Sequence, residues 1–205
     1  MADHLRLAGK SYHEQRDALE AMIHAEPVLM AVLAGIRDLP DGLLVAGALY
    51  NLVWNRLTGR PALNGVSDID VFYFDASDLS YEAEDAVILR LAERFRHLPL
   101  PVQVRNQARV HLWFEQKFGA PFSPLNSSAE MLGRYASKTH AVAARLEEDG
   151  SLQIIAPFGL DPIFSFRIEP NHVLPNRPAH DKKAARAKSV WPELTVIPWD
   201  AARKV

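Results

Sequence analysis

Ser67-Asp68-Ile69-Asp70-Val71-Phe72-Tyr73-Phe74 is the stretch on which the fold turns. Its β-branched and aromatic residues predict a strand over 68–74. Side chains two apart share a face of a strand, so Asp68 and Asp70 project together while Ile69 and Val71 enter a core. Upstream, Leu43-Leu44-Val45-Ala46 reads as a short buried strand behind the turn Pro40-Asp41-Gly42. Gly47 then opens a helix that carries Leu49, Leu52, Val53, Trp54 and Leu57. A strand running into a glycine-opened helix lets backbone approach phosphate oxygens, and the helix N-terminus favours negative charge. Two carboxylates side by side repel unless a cation lies between them. Hard oxygen ligands of this kind suit Mg²⁺ or Mn²⁺. A bare Asp-x-Asp is common, and a solvated strand face produces the same pattern, so the pair needs its context.

Working outward, Tyr12 to Ala25 has helical apolar spacing at Leu19, Met22 and Ile23, and Pro27 suits the first turn of a second helix. Ser80 begins a long helix through Leu98, Val102 to Arg105 reads as a third strand, and Val110 to Phe118 as a helix stopped by Gly119. Ser127-Ser128-Ala129-Glu130 has capping-box spacing and predicts another helix start. His140 to Leu146 and Leu152 to Ile155 flank Glu148-Asp149-Gly150, a hairpin signal. Asp161-Pro162 resembles a helix cap followed by a first-turn proline. Beyond Asn171 the chain reads as extended, with one short helix over Asp181 to Lys188. Residues 1–205 form one domain in this reading, with a lobe boundary, if any, near 118–127.

The 205 residues carry 23 Lys+Arg against 25 Asp+Glu, a net charge of −2. Nucleic acid is possible as a partner, but no global positive field is present to hold it. With no cysteine, disulfide frameworks, zinc–thiolate sites and thiol nucleophiles are excluded. The longest apolar run, Val28 to Ile36, is short of the roughly 20 residues that span a bilayer. The expected location is cytoplasmic, with no membrane partner.

The order of strand, Gly turn, helix and Asp-hydrophobic-Asp resembles the DNA polymerase beta-type nucleotidyltransferase superfamily. More narrowly, a bacterial nucleotidyltransferase-like family is resembled by five segments. They are Val53-Trp54-Asn55, Asp68 through Asp75, Val104 through Trp113, Ala156 through Asp161, and Trp191-Pro192. The resemblance implies an α+β fold: a mixed sheet packed with helices, plus a small C-terminal hairpin and extended segment. It implies transfer of a nucleoside monophosphate from a nucleoside triphosphate to a hydroxyl acceptor of unknown identity. Asp68 and Asp70 would bind the metal ions. Gly47, Ala48, Ser67, Arg105, Asn106 and Arg109 would contact the nucleotide. The chain departs from the superfamily where a third carboxylate is expected, because Gln103 stands on the third strand. Glu115 or Asp161 are the candidate substitutes. Ala48 also replaces a usual Gly or Ser, and the stretch from Gly47 to Asp68 is long.

Arg105, Asn106, Arg109 and His111 form a dense polar cluster that suits either phosphate and base contacts or a structural network. Arg177, Lys182, Lys183, Arg186 and Lys188 form the one concentrated basic tract, read first as a solvated face. Within it Lys182 and Arg186 are spaced to share a helical face. Three rival readings stand beside transfer. A haloacid dehalogenase-type phosphatase would use Asp75 as nucleophile but lacks the second Asp, having Ser77. A glycosyltransferase could use the Asp-x-Asp pair with Mn²⁺. A catalytically decayed nucleotide-binding module would follow from Gln103.

Overall fold

The structure is a computed structural model that describes residues 2–201. Its centre is a five-stranded mixed sheet in the order β3-β2-β1-β4-β5. The strands are β1 (Leu43–Val45), β2 (Ile69–Tyr73), β3 (Val102–Asn106), β4 (Ala143–Leu146) and β5 (Leu152–Ile155). β1 pairs antiparallel with β2 and β4, β2 pairs parallel with β3, and the expected hairpin β4–β5 completes the main sheet. The helices are α1 (Tyr12–His24), α2 (Pro27–Gly35), α3 (Gly47–Leu57), α4 (Tyr81–Arg94), α5 (Val110–Phe118), α6 (Asp161–Phe164) and α7 (Arg177–Val190). A second, two-stranded sheet pairs β6 (Arg167–Ile168) with β7 (Thr195–Val196).

Strand periodicity divides the sheet into two unlike faces. Leu44, Ile69, Val71 and Val104 join α1–α4 in the main core. The opposite face bears Leu43 and Val45 of β1, which oppose Phe72 and Asp70 of β2. A small cluster with Leu132, Ala141, Ala143 and Tyr135 covers part of that face. Asp70 thus stands on the less covered face because Ile69 and Val71 occupy the core.

Local signals explain most helix ends. Ser11 and Glu14 form a reciprocal capping box on α1, and Ser80 accepts from Ala83 N at the start of α4. Gly119 stops α5 in the left-handed conformation. Elsewhere the local signal and the structure differ. The capping-box residues Ser127 and Glu130 do make the Glu130 N to Ser127 Oγ bond, at 3.3 Å, but only a 3-10 segment, Ala129–Arg134, follows. Glu130 is drawn back to Asn126, and the chain returns to extended backbone at Tyr135. Asp161 lies inside the first turn of α6 rather than capping it. Its carboxylate accepts from Gly9 N at 2.7 Å and Gln15 Nε2 at 3.1 Å, tying the N-terminal segment to the domain. The C-terminal helix is longer than its basic core suggests, starting at Arg177.

Asn55, fully buried on α3, joins three parts of the fold. Its amide donates to the carbonyls of Ala62 and Asn64, both at 2.9 Å, and its Oδ1 accepts from Trp191 Nε1 at 2.9 Å. The Trp191 ring packs against Trp54 with centroids 5.2 Å apart. Gly65 completes this joint with φ +74°, and a Cβ there would lie 2.7 Å from Trp191 Cη2. Gly65→Ala is therefore expected to cost about 1–3 kcal/mol from backbone strain and the ring clash. Urea unfolding checks this, and a loss below 0.5 kcal/mol would show that the joint yields without cost.

Candidate nucleotide site

A cavity of about 230 Å³ opens where β1 ends, α3 begins and β2 starts. Ala46, Gly47, Tyr50 and Asn51 form one wall, and Ser67, Asp68 and Asp70 form the next. The third wall is α7, through Lys183, Arg186, Ala187 and Val190, with Trp191 just beyond it.

The α3 N-terminus has no side-chain cap. Leu49 N donates to Ala46 O at 2.9 Å, which leaves the first-turn amides of Gly47 and Ala48 without a helical acceptor, an arrangement that suits an anion. The unusual backbone is at Ala46, with φ 55° and ψ −113°, while Gly47 is not among the positive-φ residues. A Cβ on Gly47 would make only ordinary contact, 3.8 Å from Tyr50 Oη. The sharp turn expected at Gly47 is thus made one residue earlier. Strained conformations of this type cost of order 1–3 kcal/mol.

Asp68 and Asp70 are both half-buried. Ser67 Oγ donates to Asp68 Oδ1 at 2.7 Å, and Gln103 Nε2 donates to Asp68 Oδ2. Arg186 Nη2 donates to Ser67 Oγ at 3.2 Å, which links α7 to the carboxylate pair. Burial and the neighbouring Asp68 charge push the Asp70 carboxyl above its usual range, partly offset by Lys183 and Arg105. Burial also pushes the Tyr50 hydroxyl up, with Asp70 and Asp68 adding to the shift and Arg186 opposing it. Tyr50 therefore stays protonated and is available as a donor. His140 stacks on Tyr50 with centroids 4.6 Å apart. Burial first, then Lys183 and His180, hold its imidazole down at about 3, so it is neutral at ordinary pH.

The two carboxylates fit a hard divalent cation. They meet at one cavity, and burial together with the neighbouring Asp68 charge makes ionised Asp70 costly without a counter-charge. Mg²⁺ or Mn²⁺ would be held by Asp68 and Asp70.

Gly47, Ser67, Asp68 and Asp70 come together in the cavity wall as the sequence suggests. Ala48 is buried in the main core instead. Asn106 caps the next turn through Ala108 N at 3.1 Å and bonds the Asp75 backbone. Arg109 is paired with Glu84 and donates to Leu79 O at 3.0 Å. Arg105 and Arg109 line a separate groove with Phe72, Tyr81 and Trp113. His111 lies on α5, and Glu115 is exposed there, so neither lines the cavity. Asp75 is occupied by Ser77, whose N and Oγ donate to it at 2.9 and 2.5 Å.

The basic tract is exposed, as the reading of a solvated face expects, and two of its residues also border the cavity. Lys183 and Arg186, three apart on α7, turn into the cavity, whereas Lys182 does not line it. Tyr50 and Asn51 also line it and were not singled out by pattern. Their spacing from Gly47 on α3 is the one signal that could have found them.

Residues 34–196 match the model of a family described as nucleotidyltransferase. The chain belongs to that nucleotidyltransferase family. No curated protein matches the chain. Its fold is similar to an NMR structure described as revealing a CCA-adding enzyme head domain. That likeness has a TM-score of 0.72 at 25% identity and covers 89% of this chain and 95% of the other. Family and fold together support nucleotidyl transfer as the general chemistry. Among the described residues no single helix is long and apolar enough to cross a membrane.

Proposed function

We propose that the protein transfers a nucleoside monophosphate from a nucleoside triphosphate to a hydroxyl acceptor, using a divalent cation at Asp68 and Asp70. One observation carries this reading. The carboxylate pair, the uncapped start of α3 and the cations Lys183 and Arg186 all face the same cavity. At about 230 Å³ the cavity suits the phosphates rather than a whole nucleotide, so ribose and base extend beyond its mouth.

In the transfer, the acceptor oxygen forms a bond to the α-phosphorus and its proton leaves to a base or solvent. The bond from α-phosphorus to the bridging oxygen breaks, and pyrophosphate departs with that electron pair. Lys183, Arg186 and the α3 amides hold the β- and γ-phosphates and meet the charge that grows on them. The Tyr50 hydroxyl donates toward the same oxygens. The bound cation supplies Lewis-acid stabilisation of the transferring phosphoryl group.

Nucleotide binding without turnover is a second reading, favoured by the uncharged Gln103 beside Asp68. Thermal unfolding and pyrophosphate release separate the two. A triphosphate at 100 times its Kd, with Mg²⁺, is expected to stabilise the protein by about 2.7 kcal/mol. Lys183→Ala is expected to weaken that binding about tenfold, as loss of one charge-assisted phosphate contact does. An unchanged Kd would remove Lys183 from the site. Stabilisation without pyrophosphate release under any acceptor mixture would favour binding alone.

A further inference from the structure

Two divalent ions side by side need bridging carboxylates, and this site is short of them. Among the described residues no group of three or more His, Cys, Asp or Glu side chains is placed to hold an ion. Gln103 faces Asp70 across the β2–β3 register, on the strand next to the pair. Its side chain is neutral, and its amide occupies Asp68 Oδ2. Ser67 occupies Asp68 Oδ1. Both oxygens of Asp68 therefore already accept a protein hydrogen bond, while Asp70 is acted on by burial and neighbouring charges alone. Positive charge is instead built into the protein. Lys183 and Arg186 line the cavity, and Arg186 reaches Asp68 through Ser67.

We propose that the site takes a single divalent cation, and that Lys183 and Arg186 supply as fixed charge what a second ion would supply. The inference rests on the nucleotidyl-transfer reading. Asp70 is the principal ligand, and Asp68 contributes the lone pair its donors leave free. Gln103 excludes a second ion by two means: it brings no charge, and it holds Asp68 in place. In the proposed transfer Lys183 and Arg186 hold the β- and γ-phosphates, so they act on the departing oxygens rather than on the attacking one.

Electron paramagnetic resonance of Mn²⁺ tests this without relying on turnover. The full chain is loaded with Mn²⁺ and a non-hydrolysable nucleoside triphosphate analogue, and unbound metal is removed. Ions about 3.5–4 Å apart couple and broaden the spectrum. The wild type is expected to show one isolated Mn²⁺ per chain. Gln103→Glu is expected to show a coupled pair, and because residue 103 is exposed the variant keeps its fold. In EDTA that variant is expected to melt lower than wild type, and Mn²⁺ restores it. A coupled pair in the wild type overturns the single-ion proposal and leaves the transfer reading intact. An isolated signal in Gln103→Glu also overturns it. No protein-bound Mn²⁺ in the wild type overturns the carboxylate reading beneath it.

Discussion

Asp70→Asn is expected to melt above the wild type in EDTA at pH 7, and to lose metal-dependent nucleotide binding and transfer. The two effects have one cause. Burial and the charge of Asp68 raise the folded-state pKa of Asp70. A carboxyl raised on folding favours the fold below its unfolded pKa and loses that contribution as pH rises through the folded value. At neutral pH the ionised Asp70 is therefore a cost to the metal-free fold. The amide removes that cost and flattens stability as pH rises above the ordinary carboxylate range. It also removes the ligand that carries no competing hydrogen bond, so transfer is expected to fall by about 10³-fold or more. Melting with and without Mg²⁺ and a triphosphate, followed by pyrophosphate release, reads both. Equal melting temperatures in EDTA would show that Asp70 is not strained by its surroundings. Retained transfer would sink the proposed chemistry.

Asn55→Ala is expected to cost roughly 2–4 kcal/mol, since it leaves two part-buried carbonyls and a buried indole N–H without partners. The damage reaches the cavity, because the same side chain anchors the loop before Ser67 and the Trp191 end of α7. Nucleotide affinity is expected to fall as well, although Asn55 does not line the site. Asn55→Asp keeps the acceptor for Trp191 but sets a buried carboxylate against both carbonyls, so a loss at least as large is expected. Urea unfolding of the pair decides. A cost under 1 kcal/mol for the alanine variant would mean that water or side-chain shifts satisfy the exposed groups.

What could be read in advance followed the range of the interactions. The strand around Ile69 to Tyr73, the helical spacing of α1 and the stop at Gly119 depend on neighbours a few residues away, and all three are present. The Asp68–Asp70 pair was legible because one strand and its alternation place both. Lys183 and Arg186 were not, because their place beside the cavity depends on how α7 is set against the domain, where Trp191 bonds Asn55. Helical spacing says which residues share a face, never which face meets a distant cavity. Arg109 shows the converse case. Its position in a polar cluster suggested phosphate, but Glu84 on α4 claims it from 25 residues away. Asn106 was legible in both of its readings, and the structure uses the capping one.

The order of parts along the chain has a consequence for biosynthesis. Strands β1–β3 and both aspartates leave the ribosome well before α7 does. A nascent chain that has not yet reached Arg177 has the acidic half of the cavity and no cationic half. Under the proposed reading, phosphate affinity would therefore arrive late, once α7 is made and Trp191 is bonded to Asn55. Under the same reading, chains that end or are nicked ahead of α7 carry the carboxylates without Lys183 and Arg186, and are expected not to sequester triphosphates.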